Sequence, residues 1–222
     1  TWSDWNWPAG ESEFRRAIQL NPGFADAHIY YSHFLNIMRR PDEAMAEARR
    51  ALELDPFNGL FQALYGVDLV FVRQYDAAIT EFNRALTSDP GFAFALGGLI
   101  ATHHLKGDHA RALDFLKRYA SAAGYVEVTR FLAQNPTGAD YSETMHGAAE
   151  ALAARSRTTV VLPFEIAGWY CYAGDKNRCL EWLERAYVVR DPLLPYLWFP
   201  DFDSVQSDPR FRDLLKRMKL PD

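Results

Sequence analysis

The sequence predicts an all-α fold: a solenoid of antiparallel helix pairs ending in a C-terminal capping helix. Three observations predict it. Residues of fixed type recur every 34 positions, the apolar residues within a period follow helical spacing, and prolines punctuate the periods.

Pro22, Pro56 and Pro90 form one column at this period, Ala17, Ala51 and Ala85 a second, and Ala44, Ala78 and Ala112 a third. In a fourth, Phe14 and Phe82 are large, Ala48 stands between them and Leu116 follows one period later. Each column has a packing reason. Two helices approach closely only where one offers a small side chain. Ala44, Ala78 and Ala112 offer it on the second helix of a pair, opposite Ser32 and Gly66 on first helices. Ala17, Ala51 and Ala85 let the second helix meet the next pair, and the large residues fill the remaining space. Ala78, Ile79, Phe82, Ala85 and Leu86 trace a helical apolar face. The prolines follow Asn21, Asp55 and Asp89, ending one pair and opening the next helix.

These columns resemble the tetratricopeptide-repeat family, in which a small residue on each helix is followed by Ala, a large residue, Ala and Pro at fixed offsets. The resemblance implies a right-handed superhelical solenoid. Residues 25–58 and 59–92 fit best. Residues 93–126 keep Gly107, Ala112 and Leu116 but have Gly124 where proline is usual, and residues 1–24 read as a repeat lacking most of its first helix. The segment from Asp4-Trp5-Asn6-Trp7 to Ala17-Ile18 is similar to repeats of large bacterial proteins, where such a region follows a winged-helix, cyclase or kinase-like domain. With the start Thr1-Trp2, it reads as part of a longer protein.

Beyond residue 126 the register is lost. Residues 127–159 are expected as an irregular helical segment: a short helix over Tyr125–Ala133, a break at Asn135-Pro136-Thr137-Gly138, and an Ala-rich helix over Ser142–Arg155 capped by Asp140 or Ser142. The period returns at 160–193 through Ala167, Tyr170, Gly174, Cys179, Leu183 and Ala186. Asp208-Pro209 opens a capping helix over Arg210–Met218, and the aromatic segment Tyr196–Phe202 is expected to fold against it. The parts 1–126, 127–159 and 160–222 are read as one continuous domain.

Apolar residues make up 49% of the chain, enough for a substantial core. The net charge of −5 leaves no basic surplus for a phosphate backbone, so nucleic acid is not an expected partner. Arg15-Arg16, Arg39-Arg40 and Arg49-Arg50 read as solvated helix faces. No apolar run is long enough to span a bilayer, and a soluble, cytoplasmic setting is expected. Cys171 and Cys179, eight apart, can bridge across a helix turn, but free thiols are the expectation, and the pair does not fix the compartment.

No catalytic, metal or cofactor constellation emerges, so an enzyme is not expected. His103 and His104 point about 100° apart on a helix and do not chelate one ion as an i, i+4 pair would. His28 and His33 are five apart, also a poor spacing. Asp201, Asp203 and Asp208 faintly resemble a calcium loop but lack its central glycine and closing glutamate, so helix capping by Ser207 or Asp208 is simpler. Asp76 and Asp175 read as caps of second helices. There is no glycine-rich phosphate loop, and Gly97-Gly98 is a lone pair.

What a partner would meet is implied by the family resemblance, in which first helices line a concave groove. The corresponding positions include Ile29, His33, Asn36 and Ile37, then Val67, Val70 and Phe71, then Phe94 and His104. Ile29 and Ala63 stand where the family's carboxylate-clamp members need polar groups, so a chaperone-type clamp is not expected. The expected function is a protein-interaction scaffold that takes a partner peptide or helix in an apolar groove. The alternatives are a small-molecule sensor with an enclosed apolar cavity, or a self-association module pairing through an open N-terminal end near Trp2, Trp5 and Trp7. A further reading has the protein's own C-terminal segment filling the groove, with Phe71 and Phe94 meeting Tyr172 or Trp198.

Overall fold

A computed structural model describes residues 5–134 and 140–221, which form helices and connecting turns only. Helix α1 (Trp7–Leu20) is the lone second helix of the partial repeat. Three pairs follow: α2 (Ala25–Ile37) with α3 (Pro41–Leu54), α4 (Gly59–Phe71) with α5 (Tyr75–Ser88), and α6 (Ala93–Leu105) with α7 (His109–Ala122). Helices α8 (Val126–Gln134) and α9 (Tyr141–Arg155) continue the stack, α9 lies against α10 (Pro163–Tyr172), and α10 pairs with α11 (Lys176–Val188). Two short 3₁₀ helices, Leu194–Trp198 and Pro200–Val205, form a tail, and α12 (Pro209–Arg217) caps the end. The segment with lost register is therefore a further pair of helices in the same stack, while the break at Asn135–Gly138 lies outside the described residues.

The repeat columns work as interlocks. Ala44, Ala78 and Ala112 are fully buried. Phe82 is wedged between two first helices: a Cβ on Gly66 would come within 2.7 Å of its ring, and one on Gly98 within 2.3 Å. Phe131 occupies the equivalent space over Gly147, which lets α8 and α9 touch without the proline column. At the α7–α8 junction Gly124 adopts φ +67° and Tyr125 N–H bonds back to the Ala120 carbonyl, a glycine helix end where the repeat usually has proline. Asp140, Asp175 and Asp208 cap α9, α11 and α12 by accepting backbone N–H bonds. Asp76 does not cap. Gln74 holds the N-cap position of α5, and Asp76, in the first turn, pairs with Lys106 of the next repeat.

The solenoid closes on itself. The tail contacts α2, α6, α10 and α11, so it crosses the concave side as well as meeting the cap. Three arginines in left-handed backbone at hairpin ends hold the closure. The Arg39 guanidinium lies 4.3 Å from the Trp198 ring centre, Arg73 bonds Asp203 at 2.7 Å, and Arg190 sits 4.0 Å over Trp5. The N-terminal end meets the cap. Trp7 is buried and its indole N–H donates to the Met218 carbonyl at 2.8 Å, and Trp5 packs 4.9 Å from Tyr187. The expected self-pairing through an open N-terminal end thus loses two of its three tryptophans to the molecule's own interior, and Trp2 lies outside the described residues.

The cysteine expectation is also corrected: Cys171 and Cys179 form a disulfide. Cys171 lies in the last turn of α10 and Cys179 in the first turn of α11. The tight turn at Gly174, φ +76°, brings their Cα atoms to 5.3 Å. A closed loop this short constrains the unfolded chain by about 2 kcal/mol. Adding dithiothreitol should therefore lower the thermal midpoint by about 4–8 °C without loss of helical circular dichroism below the transition. Trp7→Phe, which keeps the ring but removes the bond to Met218, should cost about 1 kcal/mol in denaturant unfolding. A loss within error would mean that the ends are not clasped through the indole.

Candidate functional site

Closure leaves a cavity of about 420 Å³ between the first helices and the tail. Its walls come from α2, α4, α6, α7, α10 and the tail. They are mostly apolar and aromatic, with Phe94, Tyr119, Phe164, Trp169, Tyr172 and Phe199 prominent. Gly97 and Gly168 on facing helices keep it open, and a Cβ on Gly168 would meet no atom within 4 Å.

Two carboxylates interrupt the apolar wall. Glu165 accepts hydroxyl bonds from Tyr119 at 2.7 Å and Tyr125 at 2.8 Å. Burial raises its pKa, and the two tyrosine bonds only partly oppose this. Asp201, in the tail, accepts the Tyr172 hydroxyl at Oδ2, whereas its Oδ1 is shielded from solvent and has no hydrogen-bond partner. Burial pushes the Asp201 carboxyl from 3.8 up to about 7, the Tyr172 bond opposes the shift, and Asp203 adds to it. The wall includes no lysine or arginine.

Of the residues expected to form the groove, His33, Val67 and Phe94 reach the cavity wall. Ile29, Ile37 and Val70 do not: they are fully buried between helices, in positions that hold the pairs together. Asn36 is committed to a buried polar network, donating to Asp68 at 2.6 Å, and Ser32 bonds the same carboxylate at 2.7 Å. His33 bridges that network to the tail, with Nδ1 2.8 Å from the Tyr196 hydroxyl and Nε2 3.1 Å from the Leu64 carbonyl. Phe71 is covered by the tail, its ring 6.3 Å from Tyr196 and 5.2 Å from Phe199. The tail residues that meet Phe71 are these two, not Tyr172 or Trp198, and Phe94 stays 40% exposed at the rim beside Phe92. His104 stacks 4.2 Å from Tyr172 and bonds the Tyr141 hydroxyl at 2.9 Å. Burial, then His109, lowers its pKa to about 4, so it is neutral at pH 7. The partly calcium-like aspartates diverge. Asp201 turns to Tyr172, Asp203 to Arg73 and Asp208 to the α12 N-terminus.

A tetratricopeptide-repeat profile matches residues 6–59 and 66–126, more than half of the chain and the same stretch that forms the regular helix pairs. The chain belongs to the tetratricopeptide-repeat family. Members of this family are scaffolds for protein interaction and are generally not catalysts. Solved tetratricopeptide-like structures share the architecture. PilW, a type IV pilus biogenesis factor, superposes with a TM-score of 0.56 at 16% identity, covering 91% of each chain. PilF of Pseudomonas aeruginosa gives 0.52 at 16% identity, covering 96% of this chain and 90% of its own. Yeast Tom70 gives 0.51 at 16% identity, covering 93% of this chain and 46% of its own. At these identities the likeness is one of fold. No curated protein matches the sequence.

Sequence reasoning missed Glu165, Asp201, Tyr119 and Trp169. A signal for their surroundings was present. The groove positions, carried into the repeat at 160–193, fall on Val161, Phe164, Gly168, Cys171 and Tyr172, and three of these five, Phe164, Gly168 and Tyr172, line the cavity.

The raised Asp201 pKa makes a signed prediction. An acid that binds its proton more tightly when folded adds stability below its unfolded pKa near 3.8, and that stability is lost as pH rises toward about 7. Glu165, also raised, acts in the same sense. Stability measured by denaturant should therefore fall from pH 4 to pH 7 by an amount on the order of a few kcal/mol, offset in part by other carboxylates. Asp201→Asn should flatten this slope, and an unchanged slope would mean that Asp201 is hydrated.

Proposed function

We propose that this tetratricopeptide chain is a non-catalytic binding module and that it binds through the walled cavity, receiving a compact, largely apolar ligand. The observation that carries this is the tail. Residues 194–205 occupy the concave side and cover Phe71, so the trough a partner helix would need is taken. Two turns of helix about 10 Å across require about 800 Å³. The remaining 420 Å³ falls instead in the range of small-molecule pockets. This favours ligand sensing over a helix laid along the whole groove. The tail is the element that would report occupancy, because it supplies Tyr196, Phe199 and Asp201 to the wall. We also read the module as part of a larger bacterial multidomain protein, on the resemblance noted for the segment from Asp4 to Ile18.

A second reading keeps a peptide partner. Phe94 and Leu60 are groove-column residues, 40% and 38% exposed, so an extended peptide can run along the rim and place one apolar anchor inside. In that case Phe94→Asp should weaken capture of the partner while leaving thermal stability unchanged.

The cavity reading is tested by filling it. Gly168→Leu places a side chain into open space and replaces a helix-interior glycine, so the thermal midpoint should hold or rise. Titration with the neutral dye N-phenyl-1-naphthylamine should give saturable fluorescence enhancement with the unaltered chain. With the variant, the apparent Kd should be at least about tenfold weaker, the loss of one buried apolar contact set. Equal binding by both proteins would place the dye elsewhere and sink the reading.

A further inference from the structure

We infer that the cavity is selective for an organic cation: a protonated small amine whose apolar body fills the aromatic walls and whose ammonium group meets Asp201, with Glu165 across the same cavity. This rests on the cavity being the binding site. Three observations carry it beyond that.

The first is charge. Glu165 and Asp201 both face the cavity, and no lysine or arginine lines it, so neither carboxylate has a cationic partner in the wall. The neighbouring ion pairs are closed among themselves. Arg73 is held by Asp203, and Arg155 is held by Glu127. The second is hydrogen bonding. Asp201 Oδ1 is buried without a donor, and such an atom is costly unless something arrives to satisfy it. Glu165 is already served by two tyrosine hydroxyls, so the open valence lies on Asp201. An ammonium N–H supplies the donor and the charge together, and a charge-assisted bond is the stronger kind. The third is the wall. Tyr119, Trp169 and Tyr172 present aromatic rings on α7 and α10 next to the carboxylates, an arrangement that favours cations over neutral groups of equal size. An anionic ligand would meet like charge and no lysine or arginine to compensate it.

The guest is a free amine rather than a lysine on a folded partner, because the tail walls the concave side that a protein segment would have to enter.

The test compares head groups on one body, using the full chain at pH 7.5. The probes are 4-phenylbutylamine, which is cationic, 4-phenylbutan-1-ol, which is neutral, and 4-phenylbutyrate, which is anionic. Calorimetry and thermal shift should give the amine an apparent Kd at least about tenfold below that of the alcohol, with no binding of the butyrate. Asp201→Asn, nearly isosteric, should reduce the advantage of the amine over the alcohol to nothing, and Glu165→Gln, which also removes a carboxylate charge from the wall, should reduce it if that variant folds poorly. Equal affinity for amine and alcohol in the unaltered chain overturns the cation inference but leaves the cavity reading standing. Binding of none of the three, together with no dye binding, overturns both. Tight binding of a lysine-bearing peptide such as acetyl-Phe-Lys-amide, with none of the free amine, would overturn the choice of a free amine.

Discussion

The structure depends on one closure: the C-terminal tail and cap meet the N-terminal end, and a repeat stack that would otherwise be open becomes a ring of helices around an interior. The clasp is built of a few directed contacts. The Trp7 indole N–H bonds the Met218 carbonyl, and Trp5 lies against Tyr187 beneath Arg190. Residues from α1 and α12 belong to one hydrophobic core. A solenoid normally gains stability pair by pair from nearest neighbours. Here one bond, from Trp7 to Met218, spans 211 residues and ties the first helix to the end of the last.

The closure is bought at local cost in the backbone. Arg39, Arg73 and Arg190 each adopt positive φ, a conformation that costs an ordinary L residue about 1 kcal/mol. At the equivalent turn of the third pair and in the last pair the same position is Gly107 and Gly174. The arginines stand where their heads can reach the tail or the N-terminal end, on Trp198, Asp203 and Trp5. Positive φ and a contact across the molecule are thus features of the same three residues.

The ring also sets the character of the site. Once the tail covers the concave face, water has little access to the carboxylates it brings inside. Burial raises Glu165 and Asp201, and the surrounding tyrosines act as their hydrogen-bond donors. An open groove would leave both groups solvated and ordinary. The chemistry of the cavity therefore follows from closure, and the aromatic residues near the carboxylates matter both as donors and as walls.

The fold was legible because repeat packing is local. The period of 34 places Ala44, Ala78 and Ala112 at helix crossings, and helical spacing, caps and prolines constrain only residues near one another in sequence. Of the nine groove positions read from the repeat, only His33, Val67 and Phe94 reach the cavity. What no local pattern carries is how far the superhelix curls and what returns to fill it. That decided that Phe71 is covered, that Trp5 and Trp7 are interior, and that Asp201 lines the same cavity as Glu165. It also decided the disulfide, because eight residues of separation become 5.3 Å only when the helix pair folds back on itself. The sequence by itself determined the repeating unit, because that unit is held by neighbours in the chain. The tertiary structure alone decided the site, because the site is made where the C-terminal tail folds over first helices distant from it in sequence.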